Sequence, residues 1–432
     1  MGESKYLYSN TVTNKKISSD TVKFFFIKIL FFLILFAPTV LQEIKAIILI
    51  IITGIVVLET ITRMKISIHP KILVWVLIFF ATNFIFLLRG TYGRGDIFFM
   101  LAPSYIIWPI VYAITLIVSS SRFKAFDMTK LFIISTIVIS CYILYINLNF
   151  MGYVPDSFIL LLPLNYRINY NFGYINFFTP SITSLFFLIP YIIAMLVNYK
   201  HGMTVKKKHL WIALFLGIAV SVLIGRRALI GIVCMSPFIA LFWSKHKLFI
   251  SKSTTKKIFT GIVVVFLIII AYFSIGNLMN VGLRIDNTDT ELIKSGTQAR
   301  YSQFDALIQG WKEKPLFGSG FGVNAKGSIR STSVPGAYEL SYAAMLFQTG
   351  IIGMAVYFLL IVWLFSMCVK ILKSDKESIT YIIPTLTGVI GMLIANATNP
   401  YIQSFDGLWI FFYPLALINR YLLTKVKNVG GQ

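Results

Sequence analysis

Charged residues are scarce in this sequence, and acidic residues are the scarcest of them. Only 13% of the 432 residues are charged, and 16 Asp and Glu stand against 39 Lys and Arg. The chain has 3 cysteines, Cys141, Cys234 and Cys368, all of them inside apolar runs. This placement excludes a disulfide framework or a thiolate metal site, so we interpret the cysteines as small core residues.

Long apolar runs fill most of the chain. Hydrophobic residues make up 57% of the sequence, and the mean hydropathy is +0.80. The runs are roughly 18 to 22 residues long, the length that an α-helix needs to cross the hydrocarbon core of a bilayer. They lack the alternation of transmembrane strands, and no signal-peptide cleavage pattern follows the first run. These features predict an all-α polytopic membrane protein, with a single integral membrane domain over residues 1–432.

Twelve membrane spans are predicted from these runs. They are 24–41, 44–62, 72–88, 97–118, 131–150, 177–197, 209–225, 228–243, 258–275, 339–369, 380–398 and 405–422. With both termini in the cytoplasm, most basic residues fall in short cytoplasmic segments, as the positive-inside rule requires. The segment 276–338 is then a large loop on the outer side, and it is the only loop long enough to form a small subdomain.

The distribution of ionisable residues excludes several function classes. Basic residues are spread over many short loops, which argues against nucleic-acid binding. The cytoplasmic segments are too short for a nucleotide-binding domain and contain no P-loop. The histidines are all predicted at the cytoplasmic face: His69, His201, His209 and His246. An outer site must therefore use carboxylates for proton transfer, and we expect neither a metal nor a cofactor.

Two adjacent arginines, Arg226 and Arg227, separate the seventh and eighth predicted spans. One interpretation is a turn whose long side chains reach the membrane surface. The other is a cationic clamp for an anionic lipid headgroup, because paired arginines are unusual on the side that disfavours positive charge. Either arginine suits that second role.

The large outer loop ends in two further candidates. Arg300 begins a predicted short helix and falls within its apolar stripe, which consists of Tyr301, Phe304, Leu307, Ile308 and Trp311. It is either an arginine that reaches the interface or a ligand for a lipid phosphate. Glu339 begins the tenth span and is either an ordinary first-turn carboxylate or a general base for a hydroxyl.

A glycine-rich stretch, Lys314 to Gly322, separates these two candidates. It follows no strand of a βαβ unit, so a dinucleotide-binding loop is not indicated. We expect a tight turn in which Pro315 ends the preceding helix, and backbone amides that could meet a phosphate. Two later glycines, Gly350 and Gly353, predict close helix packing.

Together these motifs resemble those of the O-antigen polymerase and O-antigen ligase superfamily. The resemblance spans roughly Ala219 to Gly353 and is carried by GRRALIGI, by Arg300 followed by WKEKPLFGSGFG, and by Glu339 before a span containing QTGIIG. It implies a bacterial inner-membrane glycosyltransferase that joins sugar chains on undecaprenyl pyrophosphate at the periplasmic face. It also implies that Arg300, with Arg226 or Arg227, binds the pyrophosphate.

The resemblance implies particular partners and leaves the branch open. In the ligase branch a histidine opens the span at the position of Glu339, so this departure favours a polymerase with Glu339 as the catalytic base. O-antigen ligase is the alternative. Expected partners are undecaprenyl-pyrophosphate-linked oligosaccharides, membrane lipid and a chain-length regulator protein.

A flippase or transporter for lipid-linked sugars also suits twelve spans. However, such proteins place ionisable groups near the bilayer midplane, and the span centres here are nearly free of charge. A purely structural scaffold leaves the outer arginines unexplained. The sequence therefore favours an enzyme.

Overall fold

The structure is a computed structural model, and most of it is helical. It describes residues 19–63, 68–120, 128–155, 167–171, 174–199, 205–224, 226–245, 287–327, 334–375 and 377–430. The helices are α1 (Ser19–Phe36), α2 (Gln42–Arg63), α3 (Pro70–Thr91), α4 (Gly95–Ala102), α5 (Trp108–Ala113), α6 (Thr129–Phe150), α7 (Ile182–Val197), α8 (Lys207–Ile224), α9 (Arg227–Lys245), α10 (Asn287–Glu313), α11 (Ser341–Ser374), α12 (Ile379–Asn396) and α13 (Trp409–Gly430).

The prediction of a polytopic helical membrane protein is confirmed. Within the described residues, 7 helical segments are long and apolar enough to cross a membrane by length and composition, and α7 and α9 are shorter apolar helices. The predicted span 258–275 lies outside the described residues, and every other predicted span overlaps helical structure. The total of twelve spans stays a prediction.

The two segments that flank α5 depart from regular α-helix. The segment between α4 and α5, Pro103–Ile107, and the segment after α5, Ile114–Val118, are π-helical. Prolines at 103 and 109 remove backbone donors in this region, which favours such widened turns.

The all-α prediction missed a β-hairpin between α6 and α7. Strand β1 (Arg167–Asn171) pairs antiparallel with β2 (Tyr174–Phe178), with Asn169 opposite Asn176. Aromatic and β-branched residues recur here, and they favour strands over helix. The sequence interpretation recognised only a segment lying along the interface.

The core lies around α7 and α12, which pack closely on each other and on α9. At one end of the bundle, α3, α8 and α12 finish while α9, α11 and α13 begin. We call this end the site end, and the sequence predicts that it faces the periplasm.

Helix α11 is interrupted at the site end, and a neighbouring segment supplies hydrogen-bond partners for the backbone groups that the interruption leaves unpaired. Gly350 has φ 63° and ψ −170°, a conformation that interrupts the helical hydrogen bonds. The amides of Ile351 and Ile352 donate instead to the carbonyls of Pro315 and Leu316, at 2.9 and 3.1 Å.

The carbonyls freed by the same break also find partners. The amide of Ser319 donates to Phe347 O at 2.9 Å, and the amide of Gly320 donates to Gln348 O at 2.7 Å. These are the carbonyls that Ile351 and Ile352 would use in a continuous helix, because helical bonds run from residue i to i−4. The break therefore exchanges two bonds within α11 for four bonds with residues 315–320.

The same segment also packs tightly against the end of α3. The amide of Phe321 donates to Phe86 O at 3.0 Å, and Arg89 Nε donates to Gly318 O at 2.9 Å. A Cβ atom on Gly320 would overlap the backbone of Gly90, so the two backbone segments are in direct contact at these glycines. The ring of Phe321 stacks on Tyr105 at 4.1 Å.

Substitution of Gly320 should test this contact. Gly320 and Gly327 both have positive φ, 90° and 81°, but a Cβ at Gly327 meets nothing within 4 Å. Each change to alanine carries the cost of a left-handed residue, about 1–2 kcal/mol. Gly320→Ala should cost about 1–3 kcal/mol more because it overpacks the contact with α3. Thermal unfolding of the two detergent-purified variants measures the difference, and equal melting temperatures would contradict it.

Candidate functional site

Helix α10 extends further than the sequence predicted. It begins at Asn287 rather than at Arg300, so Arg300 lies in its middle, and it ends before Pro315 as predicted. Leu307 is fully buried, whereas Tyr301 and Phe304 are 63% and 45% exposed. The helix therefore packs through Gln303, Leu307 and Gly310. Two members of the predicted apolar stripe, Tyr301 and Phe304, face outward.

Arg300 and Glu339 form a direct ion pair. Arg300 Nε lies 3.1 Å from Glu339 Oε2, and the two side chains are 55% and 31% exposed. Glu339 precedes α11, which begins at Ser341, so it is not a first-turn residue of the helix. A guanidinium carries five N–H donors, and this contact uses the one on Nε. The pair is thus accessible to a ligand and places a carboxylate beside a cation.

The other predicted arginines lie at the turn between α8 and α9, also at the site end. Arg226 Nη1 donates to the hydroxyl of Tyr401 at 2.9 Å, and Arg226 is half-buried. Arg227 is the first residue of α9, and its side chain lies outside the described part of the structure. Tyr401 belongs to the connection between α12 and α13 and was not identified from the sequence.

A buried ion pair fixes the connection that carries Tyr401. Lys45 Nζ lies 2.5 Å from Asp406 Oδ1, and both side chains are almost completely buried. The other carboxylate oxygen accepts the amide of Thr39 at 2.7 Å. Thr39 has φ 64°, which a β-branched residue rarely adopts.

Hydrogen bonds across α12 connect the two parts of the site end. Asn396 Oδ1 accepts the amide of Ile402 at 3.0 Å, next to Tyr401. One turn earlier on α12, Leu393 O accepts the hydroxyl of Tyr342 at 2.6 Å, three residues after Glu339. Arg226, Arg300 and Glu339 therefore lie at the same end of the bundle, where α12 finishes.

Four amides of the glycine-rich stretch are already bonded within the protein. The amides of residues 318–321 donate to the carbonyls of Lys314, Phe347, Gln348 and Phe86. Because these donors are already used within the protein, a phosphate would have to displace a backbone hydrogen bond to reach them. Charge at the site end must come mainly from side chains.

An apolar cavity of about 110 Å³ lies beneath this region. Its walls come from α3, α11, α12 and residues 402–411, with Phe321, Tyr342 and Met345 among the lining residues. The polar Asn83 on its wall is bonded to Tyr357 and to Tyr105 O. The lining is therefore suited to an apolar group.

A hydroxyl near the outer loop is also held in place. The Tyr338 hydroxyl accepts a hydrogen bond from the amide of Ala325 at 2.5 Å, and burial raises the pKa of Tyr338.

Among the described residues, no group of three or more His, Cys, Asp and Glu could hold a metal ion.

The fold and this region define a multi-pass helical membrane protein with an accessible arginine–carboxylate pair above an apolar cavity. Residues 211–358, about a third of the 432, match the family model of the O-antigen ligases. The match supports the O-antigen polymerase and ligase superfamily, so the resemblance predicted from the motifs is confirmed. All four predicted site residues lie inside the matched segment. No curated protein matches the chain.

Removal of the buried carboxylate should destabilise the site end. Asp406→Ala leaves Lys45 buried without its counterion, which typically costs about 3–5 kcal/mol. Adding Lys45→Met should recover much of this loss, because the unpaired charge is then gone. The control is Asp305→Ala, at an exposed carboxylate on α10, which should change stability by no more than about 0.5 kcal/mol. A melting temperature of Asp406→Ala equal to that of the control would contradict the role of the pair.

Proposed function

We propose that the protein is a surface-polysaccharide polymerase that joins undecaprenyl-pyrophosphate-linked repeat units on the periplasmic face of the bacterial inner membrane. The observation that carries this proposal is the accessible pair of Arg300 and Glu339 within the segment that matches the O-antigen ligase family. The nearby apolar cavity supports a substrate with a lipid portion.

The proposed reaction transfers a glycan between two lipid carriers. Glu339 takes the proton from a hydroxyl of the acceptor, and the hydroxyl oxygen attacks the anomeric carbon of the donor. The bond between that carbon and the pyrophosphate oxygen breaks, and undecaprenyl pyrophosphate leaves as the anion. Arg300, with Arg226 or Arg227, stabilises the charge that develops on the leaving group.

The identity of the carboxylate supports a polymerase over a ligase. A glutamate at position 339 differs from the histidine that the ligase branch has there, so the acceptor site is built differently. O-antigen ligase is the alternative, and a flippase for lipid-linked oligosaccharides is the alternative from another class. A flippase would use no general base, whereas Glu339 and Arg300 lie in contact at an accessible position.

Arg300→Ala and Glu339→Gln should abolish long polymer in cells without removing the protein from the membrane. Loss of one preorganised charge typically lowers the rate about 10²–10³-fold, and loss of a general base lowers it about 10²–10⁴-fold. Because the pair is partly exposed, breaking it should cost no more than about 1 kcal/mol of stability. Electrophoresis of the polysaccharide and immunoblotting of the membrane fraction measure the two quantities.

The chain offers a matched control for these variants. Lys326 and Glu313 form a second exposed pair whose N–O distance is also 3.1 Å. Lys326→Ala and Glu313→Gln should leave polymer length unchanged. Normal polymer in the Arg300 and Glu339 variants, or equal losses in both pairs, would contradict the assigned roles.

The acceptor distinguishes the polymerase from its alternatives. Purified protein should lengthen lipid-linked repeat units when these units are the only glycan present. A ligase would need a different acceptor, such as a lipopolysaccharide core, and a flippase would leave the length of the glycans unchanged. Single-unit products after prolonged incubation would contradict polymerisation.

A further inference from the structure

A buried glutamine on α10 contacts the backbone of the proposed base. Gln303 is only 7% exposed. Its Oε1 accepts the amide of Glu339 at 3.0 Å and the amide of Leu340 at 3.2 Å. Arg300, three residues earlier on the same helix, contacts the carboxylate of Glu339. Helix α10 therefore contacts Glu339 at two points: Arg300 contacts its carboxylate, and Gln303 accepts its backbone amide.

The start of α11 requires such an external acceptor. The first amides of an α-helix have no intrahelical partner, and a side chain at the N-cap position normally accepts one of them. Here the N-cap residue is Leu340, which has no side-chain oxygen and makes no capping bond. Gln303, from another helix, accepts the amide of the N-cap residue Leu340 itself and the amide of Glu339 just before it.

The docking of α10 on α11 has a separate basis. Leu307 is fully buried in a cluster with Tyr338, Ala344 and Phe347. Gly310 lies so close to the ring of Phe347 that an added Cβ would be 2.6 Å from it. These apolar contacts hold the two helices together, so the polar contact of Gln303 serves the position of residue 339 in particular.

We propose that Gln303 is a positioning residue that sets where the Glu339 carboxylate stands relative to Arg300 and to the acceptor hydroxyl. This inference rests on the proposed function. A general base must lie within hydrogen-bond reach of the proton that it removes, and small misplacements of reacting groups cost rate steeply. Gln303 acts through Glu339 and does not itself touch the substrate.

The test replaces the acceptor oxygen while keeping the size of the side chain. Gln303→Met removes the acceptor, and Gln303→Glu retains oxygens that can accept the same two amides. Gln309→Met is the control, because Gln309 is an exposed glutamine on the same helix. The assay uses purified full-length protein and lipid-linked repeat units extracted from source cells that lack the gene. The rate per folded molecule, KM and the melting temperature are measured for each variant.

Gln303→Met should lower kcat about 10- to 100-fold while KM stays near the parent value, since the acceptor still binds but the base is misplaced. Gln303→Glu should restore kcat by at least half of that decrease, measured on a logarithmic scale. A purely structural role would lower the melting temperature and the yield of folded protein but leave kcat per folded molecule unchanged.

The outcomes separate the two proposals. If Glu339→Gln is inactive and Gln303→Met matches the Gln309→Met control in kcat, the positioning role is overturned and the proposed function stands. If Glu339→Gln retains full activity, the assignment of the base is wrong, and the positioning role is overturned with it.

Discussion

The exchange of hydrogen bonds at the break in α11 is the constraint on which the site end depends. Gly350 interrupts the helix, and residues 315–320 take over the two amides and the two carbonyls that the interruption frees. Buried backbone groups must be paired, so the break and the inserted segment stabilise each other. Because the inserted segment directly follows α10, this exchange fixes the end of α10 against the start of α11.

As a consequence, the partly exposed Arg300–Glu339 ion pair stands on a firmly packed part of the structure. Arg300 comes from α10 and Glu339 from the residues before α11, so neither helix alone could set the distance between them. The glycine contact between Gly320 and Gly90 extends the same rigid region to α3. At the end of α12, the buried Lys45 and Asp406 hold the connection that carries Tyr401 and, through it, Arg226.

Residue patterns in the sequence predicted several local features of the fold. Apolar run length identified the helices, the two-arginine turn between α8 and α9 was predicted correctly, and Pro315 ends α10 as expected. The start of α10 was missed because residues 287–299 are polar and carry no apolar period. The glycine-rich stretch forms the expected turn, but the availability of its amides was misjudged because their partners Phe347, Gln348 and Phe86 belong to other helices.

Four polar residues with long-range partners, Gln303, Tyr401, Lys45 and Asp406, were not identified in advance. Gln303 and Tyr401 are ordinary residues in the sequence, and only the packing of α10 on α11 and of the α12–α13 connection on Arg226 gives them a role. Lys45 and Asp406 are 361 residues apart along the chain. In each case the signal is a buried polar atom that needs a partner, and burial is a property of the fold rather than of the local sequence.

The sidedness of the site end tests the central claim most directly. Single cysteines are introduced as Ser302→Cys near Arg300, Thr398→Cys near Tyr401 and Lys425→Cys at the opposite end, in a background where Cys141, Cys234 and Cys368 are alanine. All three target positions are exposed in the structure. A membrane-impermeant maleimide added from the periplasmic side should label residues 302 and 398 in intact cells, and residue 425 only after permeabilisation. Labelling of 302 and 398 from opposite sides, or of both only after permeabilisation, would contradict a periplasmic site that combines Arg226, Arg300 and Glu339.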